Sequence, residues 1–230
     1  MSEHKPPTAT WVLCLLTVGV SVAQSVADDG RWAQAVGVIP AGLLDLRSLA
    51  GIGPGQVIPV WLTLFTYVFL HGGWWYVLPN MAGLWVFGTI AEPAMGTRRF
   101  VFTYLASGAF GAFVVAVVLP HSLKPMAGAS LAISGILGAY LAFSLSSRIR
   151  RGPRSRLVLV LEAVSVVSVA AWLVFRTVPA EADLACSVIY HFIPFMAAWS
   201  SVRISERLRG LKPAANGRAA PPQSSNGRQA

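Results

Sequence analysis

Long apolar stretches, broken by short charged or glycine- and proline-bearing segments, set the pattern of this chain. Trp11 to Ala27 follows Lys5 and ends at Asp28-Asp29. Gly73 to Ala91, Phe100 to Leu119, Met126 to Ser147, Leu157 to Phe175 and Leu184 to Val202 come after it. Each holds about 17 to 22 residues, enough to cross a hydrocarbon core of roughly 30 Å. The pattern predicts an all-α membrane protein with six transmembrane helices. Residues 1–10 form a short N-terminus, 11–202 the membrane domain, and 203–230 a basic, disordered tail rich in Ala, Pro, Gly, Ser and Asn.

Val57 to Ala91 does not fit a simple count, because its 35 residues hold no acid, Lys or Arg. Gly72-Gly73 is the natural break. Val57 to Leu70 then reads as an interfacial or re-entrant segment on the outer face, and the second span starts near Gly73. The first span has a second reading. Lys5, the apolar run and Ser25-Val26-Ala27 before Asp28 also match a signal peptide, whose cleavage would leave five spans.

Composition agrees with lipid as the solvent. Of 230 residues, 55% are hydrophobic and 12% charged, roughly half the charged share of a typical soluble domain. Two cysteines rule out a disulfide-rich scaffold; both lie within spans and read as small packing residues. A net charge of +9 raises nucleic acid as a partner, but the basic residues sort by membrane side. With the N-terminus inside, 14 of the Lys and Arg residues fall in inside segments and 4 outside, a positive-inside bias. Topology therefore accounts for the charge, and no nucleic-acid partner is expected. The cluster from Arg148 to Arg156 also suits anionic headgroups.

Polar side chains within spans are the candidate chemistry. Asn80 lies in the second span with Tyr76 one turn earlier, Ser130 near the start of the fourth, and His191 in the sixth. All three spans run inward, which puts Asn80, Ser130 and His191 roughly 5 to 10 Å below the outer surface. Blander roles exist for each. A membrane serine bonds its own backbone, Asn80 follows the kink at Pro79, and a histidine bonds a neighbouring helix. Ser130, Ser134 and Gly138, like Ser107 and Gly111, form small-residue stripes for close packing. Glu162 reads as the other buried charge, snorkelling to the inner face. A common depth for three polar residues points instead to acyl transfer. Imidazole activates the serine, while the Asn amide and the Ser130 N–H meet the oxyanion. No acid lies at that depth, so the set is a Ser-His dyad rather than a triad.

These residues resemble the rhomboid intramembrane serine proteases. The resemblance rests on Phe69-Leu70-His71-Gly72-Gly73-Trp74, Asn80-Met81, Leu84-Trp85-Val86-Phe87-Gly88, Glu92 and Gly96-Thr97-Arg98-Arg99-Phe100. Gly128-Ala129-Ser130, Ala132-Ile133-Ser134-Gly135 and Leu137-Gly138-Ala139-Tyr140 complete it. It covers residues 35 to 145 well and the span around His191 weakly. The resemblance implies a six-helix rhomboid-like bundle that keeps its first span. Ser130 would be the nucleophile and His191 its base, with Asn80, Tyr76 and Gly128 at the oxyanion and substrate site. It implies transmembrane protein substrates cut near the outer face, and no metal or cofactor. The expected location is the bacterial inner membrane, with both termini cytoplasmic.

Three positions depart from the family pattern. Tyr76 stands at the second His of HxxxxHxxxN, Leu131 at the Gly after the nucleophile, and Pro194 at the Gly three residues after the base. They motivate an alternative function, a pseudoprotease that holds or escorts transmembrane helices without cutting. A transporter is a weaker reading, since it would need charges near mid-membrane and only Glu162 is in view.

Overall fold

The computed structural model describes residues 6–27, 31–45, 50–151 and 184–210. Its elements are α1 (Thr8–Ala27), α2 (Arg31–Val36), α3 (Pro40–Leu43) and α4 (Val60–Thr66), the last extended by a 3-10 turn at Tyr67–Phe69. Then come α5 (Trp74–Met95), α6 (Thr97–Val118), α7 (Ser130–Arg151) and α8 (Leu184–Gly210). Five of the six expected spans therefore coincide with long helices. The other, Leu157 to Phe175, lies outside the described residues, as do Glu162 and the chain beyond 210. Helix α8 continues past Val202 into the segment expected to be tail.

By length and composition, α1 and α6 are the described helices long and apolar enough to cross a membrane. Helix α7 lies at the centre of the bundle. Every residue from Gly128 to Tyr140 is buried, so protein rather than lipid surrounds it, and Ser and Gly replace bulky apolar side chains. Close approach follows. A Cβ at Gly135 would collide with Ser107 of α6, and one at Gly138 with the Phe195 backbone of α8. The small-residue stripes read from the sequence thus pack helix on helix.

Helix α1 is apolar outward and polar inward. Trp11, Leu15, Leu16 and Val26 are exposed, whereas Thr10, Thr17, Ser21 and Gln24 are buried. Thr17 and Ser21 donate to carbonyls one turn back, each at 2.8 Å. The two ends bond to the rest of the bundle. Gln24 Oε1 accepts the His71 amide at 3.1 Å. At the other end the Glu92 carboxylate, 1% exposed, accepts the amides of Ala9 and Thr10. Glu92 is thus a buried charge that the hydropathy pattern did not single out, while Glu162 lies outside the described residues. Glu92 sits near the end of α5 and serves as a helix cap, so it gives a transporter reading no support.

Val57 to Leu70 is amphipathic against the bundle. Val60, Thr63, Tyr67, Val68 and Leu70 are buried, and the Tyr67 hydroxyl donates to the Gly108 carbonyl of α6 at 2.7 Å. Val57, Trp61 and Phe65 are exposed, so one face of the segment packs into the bundle while an apolar face points outward. The break before α5 falls where expected, at Gly73 with φ +126°, a conformation open to glycine.

Candidate active site

Ser130 opens α7 and is buried at 7% exposure. The loop before it is tied at two points. Met126 N–H donates to Val38 at 2.7 Å, and Gly128 N–H donates to the Tyr67 carbonyl at 3.0 Å. Gly128 has φ +124°, so the turn into the helix suits glycine. Its amide is engaged in holding that turn. The first helical bond here runs from Ile133 N–H to the Ala129 carbonyl at 3.0 Å. Ala129 is therefore the N-cap, and the amides of Ser130, Leu131 and Ala132 lie in the first turn, where no intrahelical acceptor exists.

His191 lies on α8, also 7% exposed. Gly111 of α6 ties its neighbourhood to that of Ser130. A Cβ there would lie 2.9 Å from Leu131 Cβ and 3.2 Å from Pro194 Cγ. The residue after Ser130 and the residue one turn after His191 thus meet the same point. Helix direction matters here. Ser107 faces Gly135 as Gly111 faces Leu131, so α6 is antiparallel to α7. A groove that pairs Arg99 with Ser205 and Phe110 with Pro194 makes α6 antiparallel to α8 as well. Helices α7 and α8 therefore run parallel. At 1.5 Å per residue, Ser130 and His191 both lie within about 5 Å of the Gly111 level, toward their helix N-termini.

Asn80 is fully buried on α5. Its Nδ2 donates to the Tyr76 carbonyl at 2.8 Å, and its Oδ1 has no hydrogen-bond partner. The blander role, a local bond beside Pro79, is thus partly realised, though Pro79 deprives the Trp75 carbonyl and not that of Tyr76. One Nδ2 hydrogen remains for another acceptor. Tyr76 is 41% exposed, and its ring lies against Gly72, about 3.8 Å from where a Cβ would stand. Ser134 takes the packing role, its hydroxyl bonding the Ser130 carbonyl at 3.0 Å. Sequence reasoning missed Gln24 and the Glu92 cap, whose partners lie far along the chain. No group of three or more His, Cys, Asp or Glu suited to a metal occurs among the described residues.

The Rhomboid domain model matches residues 59–203, a span that includes Asn80, Ser130 and His191. The chain belongs to the rhomboid family. Members of the rhomboid family are integral membrane proteins, which accords with the lipid-facing surface of α1. The chain is similar to Rhomboid protease GluP of Bacillus subtilis (strain 168), 42% identical over 88 residues, 38% of this chain and 17% of that protein. Putative rhomboid protease YdcA of the same organism is 32% identical over 94 residues, 41% of this chain and 47% of that one. Rhomboid-like protease 5 of Toxoplasma gondii is 37% identical over 82 residues, 34% of this chain and 9% of its own length. The matched segment spans less than half the length of these rhomboid relatives.

Proposed function

We propose that this chain is an intramembrane serine endopeptidase that cuts transmembrane segments near the outer membrane face. Ser130 is the nucleophile, and His191 is general base and then general acid. The observation that carries this reading is the shared contact of Leu131 and Pro194 at Gly111. It supports bringing the two helix turns together on parallel helices. A helical side chain leans toward its own N-terminus, which for both residues is the same direction.

In this mechanism Ser130 Oγ attacks the peptide carbonyl as its proton passes to the imidazole. The imidazolium then protonates the leaving amine, and water releases the acyl group by the reverse path. First-turn amides of α7 are the main donors to the oxyanion, helped by the positive end of the helix dipole. The second Asn80 Nδ2 hydrogen is the side-chain donor. Gly128 shapes the turn. The protein would act in the bacterial inner membrane with both termini cytoplasmic, and its partners would be transmembrane protein substrates and the lipid around them.

Leu131 and Pro194 also favour the second reading, a pseudoprotease that holds helices without cutting, because they replace family glycines. Gly111 answers that objection. By carrying no side chain it makes room for both residues, so their bulk is taken up on α6 rather than at the dyad. Gly111→Val should therefore push both turns apart. We expect cleavage to fall by about 10²-fold or more, the scale of an ångström-sized misplacement, in a protein that still folds. A Val variant as active as wild type would remove the compensation argument.

The function itself is tested with a serine-directed fluorophosphonate and a model single-span substrate, in detergent or liposomes. The expected result is labelling at Ser130 and cleavage of the substrate. Absence of both across several substrates, with the substrate helix still bound, would establish the holding reading instead.

A further inference from the structure

Among the described residues, α6 and α8 enclose a groove made of two cavities of about 240 and 200 Å³. They share Phe102, Thr103 and Ser201 in their walls, so they adjoin along one groove. On α6 it runs from Arg99 to Phe110, and on α8 from Ser205 back to Pro194. Each side covers eleven residue steps, roughly 16 Å at 1.5 Å per residue. That is the depth of one leaflet of a core about 30 Å thick.

Polarity changes along the groove in the same sense as a lipid molecule. Ser205 joins Arg99 at one end, and the Thr103 and Ser201 hydroxyls lie where the two cavities meet. Beyond them the deep end is walled by Ala106, Phe110, Pro194, Ala197 and Ala198, with Ser107 as its one added hydroxyl. We propose that this groove binds one anionic phospholipid of the leaflet at the Arg99 end. The phosphate lies at the Arg99 guanidinium and one acyl chain runs inward to Pro194. Arg99 favours an anionic headgroup, whose phosphate has no cation of its own. A substrate helix or a second copy supplies no phosphate to the Arg99 guanidinium, so charge complementarity favours the lipid.

The test uses the full chain purified in an uncharged detergent. Phosphatidylglycerol and phosphatidylcholine with identical acyl chains are added, and native mass spectrometry reads retention while Tm reads stabilisation. We expect one phosphatidylglycerol per chain, retained about tenfold more strongly than phosphatidylcholine, the scale of a charge-assisted contact. Arg99→Gln should abolish that preference, and Arg99→Lys should keep most of it. Ala197→Trp, which fills the apolar half, should reduce retention of both lipids. If that variant fails to fold, Ala106→Leu makes the same test. Equal retention of the two lipids, or a preference that survives Arg99→Gln, overturns the site. So does stabilisation by soluble glycerol phosphate equal to that by the lipid, or a dimer whose interface covers Ala197.

Discussion

Replacing Ser130 with Ala is expected to lower substrate cleavage by about 10⁴-fold or more while leaving the protein folded. The size follows from the role, since loss of either nucleophile or base disables the whole unit in serine hydrolases. The position explains why folding survives. Ala129, not Ser130, occupies the N-cap, so the hydroxyl is not one of the groups that close the helix start. The Ser134 bond is to the Ser130 backbone carbonyl, which alanine retains. Tm in detergent should thus shift by no more than about 2 °C, as for a small change outside the packed core. His191→Ala should cost a similar factor. The double variant should be no worse than either single one, because residues that act as a unit are not additive. Wild-type cleavage by Ser130→Ala would sink the nucleophile assignment. Losses that multiply in the double variant would show that the two residues act separately.

The parts of this fold legible in the sequence are those fixed by the bilayer. A helix crossing lipid must be apolar for about 20 residues; α1 and α6 meet that test, and α5, α7 and α8 coincide with the other long apolar stretches. The break at Gly73 was equally readable, because a chain that turns there favours a residue free of a side chain. Relations between helices were less readable. Nothing near Gly111 in sequence says that Leu131 and Pro194 will both reach it. Nothing near Val57 to Leu70 says that its Tyr67 will bond a carbonyl of α6. The inward polar face of α1 was hidden for a different reason. Averaged hydropathy dilutes Thr17, Ser21 and Gln24 among the lipid-facing residues between them. Candidate site residues are legible in another way, since a polar group at a given depth of a span is visible one helix at a time. Asn80 and Tyr76 appeared that way, but the Asn80–Tyr76 bond and the engaged amide of Gly128 needed the fold.

Glu92→Gln should destabilise the protein by about 3 kcal/mol, within the range for breaking a buried charged contact. Its two carboxylate oxygens accept four hydrogen bonds. Ala9 N–H at 3.0 Å and the Thr97 hydroxyl at 2.9 Å reach Oε1, while Thr10 N–H at 2.8 Å and its hydroxyl at 2.9 Å reach Oε2. Every partner donates, so the site requires acceptors on both sides. An amide of nearly equal size presents one acceptor and one NH₂; a Thr hydroxyl can turn to accept from it, but the backbone N–H on that side is left facing a donor. It also withdraws a negative charge from the positive end of α1, where first-turn amides have no other helical acceptor. Space offers no relief, since a Cβ at Gly88 would lie 2.6 Å from Thr10 Cγ2 and α1 cannot simply slide. Glu92→Ala should cost at least as much by adding a cavity. Thr10→Val combined with Glu92→Gln should cost less than the sum of the single changes, because the two share bonds. Thermal unfolding in detergent or liposomes reads all of these, and a Gln variant within about 0.5 kcal/mol of wild type, the range of an inert surface change, would sink the cap. The cap lies twelve residues from Asn80 along α5, roughly 18 Å. Activity per folded molecule should therefore remain near wild type, which separates this loss from the one expected at Ser130.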